Sequence, residues 1–407
     1  MTRDLSALDD CLADAGADGY LVDADGTDSN QRYLSGFDAP DPFVTLYVPE
    51  DVADGNDGAN DGGTDGSGLH LLVSSLEYGR ATKVDGVASV ARLVDYDHRD
   101  NVTDHGPVAG RARTVATFLA DHAVGSVAVP ADFPLGVGDA LRETGVDVTA
   151  DRTDVVTGIR ATKSDEEVEH VRDAQRANEA AMAAAEDLLR EATVEGGVLH
   201  HEGAVLTSER VKEEIEVTLL RHGCGLDETI VACGADAADP HDRGSGPLRA
   251  DEAIIVDIFP RSKETKYHAD MTRTFVKGDP SAELRRRFDV TDEAREAALA
   301  ALGPGVTGAD VHDAVCDVYE DAGYPTLRSD PETEVGFIHS TGHGVGLDVH
   351  ERPRVSPDGE ELRPGHVVTI EPGLYDPAVG GVRIEDLVVV TESGYENLTD
   401  YPVEFVV

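Results

Sequence analysis

What limits this chain most is a repeated pattern in its second half, where carboxylates interrupt otherwise apolar, β-branched segments. LRADEAIIVD runs from Leu248 to Asp257, and LRPGHVVTIE runs from Leu362 to Glu371. Each opens on Leu-Arg and reaches a carboxylate nine residues on. A second strand-like segment follows each, carrying Asp270 in ADMTRTFV and Glu385 in VRIEDLVVV. The separations of 13 and 14 residues suit hairpins with a modest loop. Two hairpins with one acid per strand are therefore expected, related by internal pseudo-symmetry. Strand alternation puts Ile255, Asp257 and Phe259 on one face, and Thr369 with Glu371 on another. A carboxylate turned into a core is costly unless something pairs it. Four facing one another repel and are driven toward protonation. Two divalent cations would nearly cancel that charge, at the ~3.5–4 Å spacing of two-metal sites. His343, in the Gly-rich segment STGHGVGLDVHE (340–351), is a fifth candidate donor. Any one of these acids alone reads as a strand-end surface group; the five together with the repeat point to a metal centre.

The first half has a different rhythm. A short amphipathic helix over 4–16 precedes strand patterns at 19–22, 43–48 and 69–74. The stretch DVADGNDGANDGGTDGSG (51–68) has almost nothing to bury and reads as a flexible acidic insert. Helical 111–122 and strand 126–130 continue the alternation, which argues for an α/β domain over 1–158. Residues 163–192 are strongly helical, with Ser164 as N-cap and Asp165, Glu166 and Glu167 in the first turn. A second, α+β domain is expected over 159–407, and the loops within 193–227 do not resolve from the sequence alone.

Charge excludes some partners. Acidic residues number 81 against 34 basic ones, of which six are Lys, and the net charge is −47. A field this negative repels nucleic acid phosphates and anionic lipid. The acid is spread along the whole chain, which fits adaptation to high salt, where repulsion is screened over ~3 Å at 1 M. An acidic chaperone for basic partners is the competing reading. Four widely spaced cysteines, with no C-x-x-C pair, suggest a reduced, cytoplasmic protein. MTRDLSALDDCLADAG is too polar for a signal peptide, and no run of about 18 apolar residues offers a membrane span.

The segments IIVDIFP, HADMTRTF, STGHGVGLDVHE, TIEPGLY and GGVRIED, within 160–407, resemble the pita-bread metallopeptidase family in its Xaa-Pro aminopeptidase and prolidase (creatinase-like) branch. NQRYLSGF (30–37) resembles that branch's N-terminal domain more weakly. The resemblance implies an α/β N-terminal domain plus an α+β pita-bread catalytic domain. It implies that Asp257 and Asp270 hold one metal, with Asp270 bridging. His343 and Glu371 would complete the other shell, and Glu385 would bridge both. A metal-bridging hydroxide would attack the scissile carbonyl, with Glu371 as proton shuttle. His241 in GADAADPHDRG and His350 in LDVHE would contact the peptide, and His339 matches a further His of proline-cutting members. Arg383, two residues before Glu385, favours proline specificity over methionine aminopeptidase. The implied reaction is hydrolysis of Xaa-Pro bonds at peptide N-termini or in dipeptides, by a homodimer using Mn²⁺, with Co²⁺ or Zn²⁺ as alternatives. A methionine aminopeptidase, a creatinase-like C–N hydrolase and a non-catalytic peptide binder are the alternatives on this fold. The sequence departs from the family's usual Asp-x-Gly at Asp257-Ile258-Phe259-Pro260, which puts the pocket rim in question.

Overall fold

The computed structural model describes residues 4–50 and 68–407. The expected insert therefore lies outside the described residues, apart from Gly68. The chain divides into two units, Met1–Arg160 and Ala161–Val407.

The first unit is built on β1 (Gly19–Ala24), β2 (Phe43–Val48), β3 (Gly68–Val73), β4 (Val87–Arg92), β5 (Ser126–Val129) and β6 (Asp147–Ala150). They form one mixed sheet in the order β4-β3-β2-β1-β5-β6. Alternation gives the sheet two apolar faces. Val44, Leu46 and Leu72 pack against Ala112, Val115, Phe118 and Leu119 of the helix Pro107–Asp121. Phe43, Leu71 and Val73 point the other way, onto Phe37 and Ala81.

The second unit opens with the helix Asp165–Glu191. Ser164 caps it, and Glu167 answers by accepting from the Ser164 backbone N–H, closing a capping box. The unplaced stretch 193–227 forms a small sheet of β7 (Thr193–Glu195), β8 (Val198–His201) and β9 (Ala204–Val205), then the helix Ser208–Arg221. A short strand, β10 (Cys224–Gly225), pairs with β13 (Arg261–Ser262).

Two sheets carry the repeat. β11 (Ile230–Cys233), β12 (Ile254–Ile258) and β14 (Met271–Phe275) form the first. β15 (Gly342–Gly344), β16 (Glu351–Val355), β17 (Val367–Ile370), β20 (Asp386–Thr391) and β21 (Gly394–Asn397) form the second. In the first, Ile254, Val256, Ile258, Met271 and Phe275 pack against Ala181, Met182 and Leu189 of the long helix. In the second, Val368, Ile370, Val388 and Val390 pack on the helices Ala282–Ala301 and Gly308–Asp321. With one face of each sheet committed to helices, alternation sends Asp257, Thr272 and Thr369 to the other.

The first hairpin has the expected form, with Asp257 paired to Thr272 across β12 and β14. The second differs from expectation. Its strands β17 and β20 are joined not by a modest loop but by a ribbon of β18 (Gly373–Asp376) and β19 (Gly380–Arg383). The register Ile370↔Asp386 still brings Glu371 and Glu385 opposite one another just beyond the ladder.

Candidate metal centre and active site

Each acid stands at a strand end on the face the helices leave free. Asp257 lies in β12, Asp270 just before β14, Glu371 just after β17, and Glu385 between β19 and β20. His343 comes from β15, where Gly342 and Gly344 permit the backbone to run within contact of Thr369 and Arg352. Asp270, His343 and Glu385 each place a donor atom within 4.8 Å of the other two. His343 Nε2 lies 3.3 Å from Glu371 Oε1 and 3.8 Å from Asp270 Oδ2. Its Nδ1 is 3.2 Å from the Gly344 carbonyl, so Nδ1 carries the proton and Nε2 presents a lone pair.

Electrostatics make this arrangement untenable without neutralisation. Burial raises the Asp270 carboxyl well above the usual range, and Glu385, Asp257 and Glu371 raise it further. Glu385 is raised for the same reasons, burial first and then Glu371 and Asp257. Glu371 is pushed up to about 8 by burial, against the pull of Arg383. Burial and His350 lower His343 to about 3, which keeps it neutral. Lone pairs thus converge where either protons or cations must sit. Asp257 supplies the sharper indication. Its Oδ2 accepts from Arg383 Nη2 at 2.6 Å, yet its Oδ1 is buried with no hydrogen-bond partner among the described residues. A buried, unsatisfied carboxylate oxygen beside three convergent donors fits a divalent cation.

Residues 169–392 match metallopeptidase family M24. The chain belongs to that family. It is 34% identical over 251 residues to the Xaa-Pro dipeptidase of Pyrococcus furiosus, covering 60% of this chain and 65% of that one, just under two thirds of its length. It is 33% identical over 295 residues to a probable dipeptidase PepE of Mycobacterium bovis, covering 72% of this chain and 70% of the relative. The crystal structure of the prolidase from Pyrococcus horikoshii superposes with a TM-score of 0.75 at 25% identity, covering 98% of each chain. The architecture of this M24 chain is accordingly the pita-bread catalytic domain with an N-terminal domain before it.

Around the acids of this M24 chain stand the remaining predicted residues. His350 meets His343 edge to face, with ring centroids 4.2 Å apart. His241 lies in an exposed loop, near enough to His339 and His350 to disfavour their protonation. His339 is turned inward: Nδ1 donates to the Ser340 carbonyl at 2.7 Å, and Nε2 accepts from Tyr375 Oη at 3.0 Å. Burial, and Arg383 beside it, lower its pKa to about 3.

Arg383 is the hub of this side. Besides Asp257, it donates to Tyr375 Oη at 2.9 Å, Thr272 Oγ1 at 3.1 Å and the Pro240 carbonyl at 3.3 Å. Thr272 Oγ1 in turn donates to Glu385 Oε2 at 2.8 Å. Thr369 Oγ1 accepts from the His343 backbone N–H at 3.0 Å and lies 3.3 Å from Glu371 Oε1. Tyr375 and Thr272 were not singled out from the sequence, and Thr369 was noted there only for sharing a strand face with Glu371. For the threonines a signal existed, since a hydroxyl on the carboxylate face of an apolar strand is placed to orient an acid. Tyr375 had none, because a Tyr in a strand is ordinary core material.

Proposed function

We propose that this chain hydrolyses the peptide bond on the N-terminal side of proline, foremost in Xaa-Pro dipeptides. Two divalent ions, Mn²⁺ for preference and Co²⁺ or Zn²⁺ as substitutes, would be held by Asp257, Asp270, His343, Glu371 and Glu385. The observation that carries the reading is the partnerless Asp257 Oδ1 beside the Asp270, His343 and Glu385 donors. When bound, the ions would polarise the scissile carbonyl and acidify water.

The chain's own groups supply the rest. Glu371, whose Oε1 lies 3.3 Å from His343 Nε2 at the edge of the donor cluster, would be the carboxylate that takes a proton from water once cations have displaced its own, and returns it to the leaving nitrogen. His350 and His241, at the accessible rim, are placed to donate to the oxyanion that develops on the carbonyl. With both ring nitrogens engaged internally, His339 is better read as support for Tyr375 and Arg383 than as a substrate contact. Arg383 fixes Asp257 while leaving its second oxygen free. Proline requires such a dedicated site because its nitrogen is tertiary and its ring locks φ.

The test is hydrolysis of Ala-Pro, Ala-Pro-Ala and Met-Ala-Ala in molar KCl with Mn²⁺, with and without a chelator. Chelator-sensitive cleavage of Ala-Pro supports the proposal. Cleavage of Ala-Pro-Ala in preference would keep the proline assignment but replace the dipeptidase with an aminopeptidase. Preference for Met-Ala-Ala would refute the proline assignment.

A further inference from the structure

His350 immediately precedes β16, at the end of a loop over 345–350 that has no helix or strand of its own. Something else must fix it, and a buried ion pair stands directly behind it. Lys163 Nζ and Glu351 Oε1 lie 2.5 Å apart, with the two side chains only 1% and 2% exposed. The second Glu351 oxygen is 3.4 Å from the Asp348 backbone N–H. The loop closes tightly over this carboxylate, since a Cβ on Gly346 would lie 2.3 Å from Glu351 Oε1. Gly346 itself donates to the Asp348 carbonyl and accepts from His268 N.

Lys163 is equally well anchored. Its backbone N–H donates to the Gly365 carbonyl at 2.9 Å, Thr162 bridges His366, and Nζ also reaches the Ala161 carbonyl at 3.3 Å. Residues 161–163 therefore lie pinned against the turn that leads into β17. A buried ion pair is poor at adding stability compared with apolar residues of the same size. Its stronger use is to specify one arrangement. Here the arrangement it specifies is that of the loop ending at His350.

We propose that Lys163 is a positioning residue for His350, acting through Glu351. The ammonium holds the Glu351 carboxylate, the carboxylate holds the 346–348 turn, and His350 is thereby presented to the peptide. The inference rests on the proposed contact between His350 and substrate.

The experiment compares Ala-Pro hydrolysis and bound Mn²⁺ in the full-length parent, His350→Ala, Glu351→Gln and Lys163→Met/Glu351→Met. His350→Ala sets the ceiling, a kcat loss of ~10²–10³-fold. The double variant removes both charges together and so leaves neither buried unpaired. Its kcat is expected to fall by ~10–100-fold, the range for a supporting contact, with KM within about threefold and Mn²⁺ content at the parent's value. Glu351→Gln keeps the side chain's size, and its kcat is expected to fall less, again at constant KM. Parental kcat in the double variant and in Glu351→Gln, with turnover lost in His350→Ala, would overturn the proposal while leaving the His350 reading intact. Parental kcat in His350→Ala would remove the premise itself. Loss of bound Mn²⁺ along with kcat would overturn it too, by showing a general collapse of the site. If the double variant does not fold, Glu351→Gln decides alone.

Discussion

Stripping metal from this protein should make its stability fall as pH rises above neutrality. Glu371 is raised in the folded chain from 4.5 to about 8, so the folded state holds a proton that the unfolded state has lost. Stability from such a group is full below its unfolded pKa and is lost as pH climbs through the folded value. Between pH 7 and pH 8.5, Glu371 alone gives up about 1 kcal/mol. Asp270 and Glu385 are raised for the same reasons and act in the same direction. The buried histidines do not confuse this window. His339 and His343 are lowered to about 3, so their contribution is complete above the ordinary His range and is lost only on acidification. Bound cations would take the place of the protons, and the metal-loaded chain should hold or gain stability over the same range. The assay is urea unfolding in molar KCl at pH 7 and 8.5, with and without Mn²⁺. It is followed by circular dichroism because the chain has no Trp. A metal-free chain equally stable at both pH values would refute the picture of mutually repelling buried carboxylates. Glu371→Gln should shrink the metal-free loss by about 1 kcal/mol.

The same variant should lose turnover by at least ~10²–10⁴-fold, the range for a removed general base, and near-normal kcat would end the assigned role of Glu371. With a net charge of −47, the melting temperature should fall when KCl is lowered from molar to 0.1 M, as the screening length grows from ~3 to ~10 Å. Unchanged melting would show that the acidic surface is not adapted to salt. Light scattering in molar KCl should return twice the 43.1 kDa chain mass, and a monomer's mass would remove the expected dimer.

Much of the site was legible because it violates a general rule. Asp257, Asp270, Glu371 and Glu385 stand in segments otherwise fit only for a core, and a repeat that preserves such a liability needs a ligand to explain it. For Asp257 and Glu371, strand alternation also gave the face each acid takes. The ribbon β18–β19 was hidden because Gly373, Gly380 and Gly381 read as turn residues, although Gly381 is tightly enclosed by the Ala237 carbonyl and Tyr375. The hub at Arg383 was only half visible. Its position two residues before Glu385 was legible, but the carboxylate it meets depends on register between the two hairpins, and it is Asp257, 126 residues away. Lys163 and Glu351 are 188 residues apart and carry no local pattern, so only the fold reveals that they meet. The small sheet at β7–β9 went unplaced because its strands are short and largely exposed, leaving no hydrophobic period to read.

The central claim is that these five residues form a two-ion peptidase site. It is tested most directly by stripping the protein of metal and adding Mn²⁺ back stepwise, measuring bound metal and Ala-Pro hydrolysis in the same samples. The stripped chain should be inactive, and activity should rise to its plateau as two ions per chain are bound. Hydrolysis that survives complete removal of metal, or a chain that binds two ions and cleaves no Xaa-Pro bond, would contradict it.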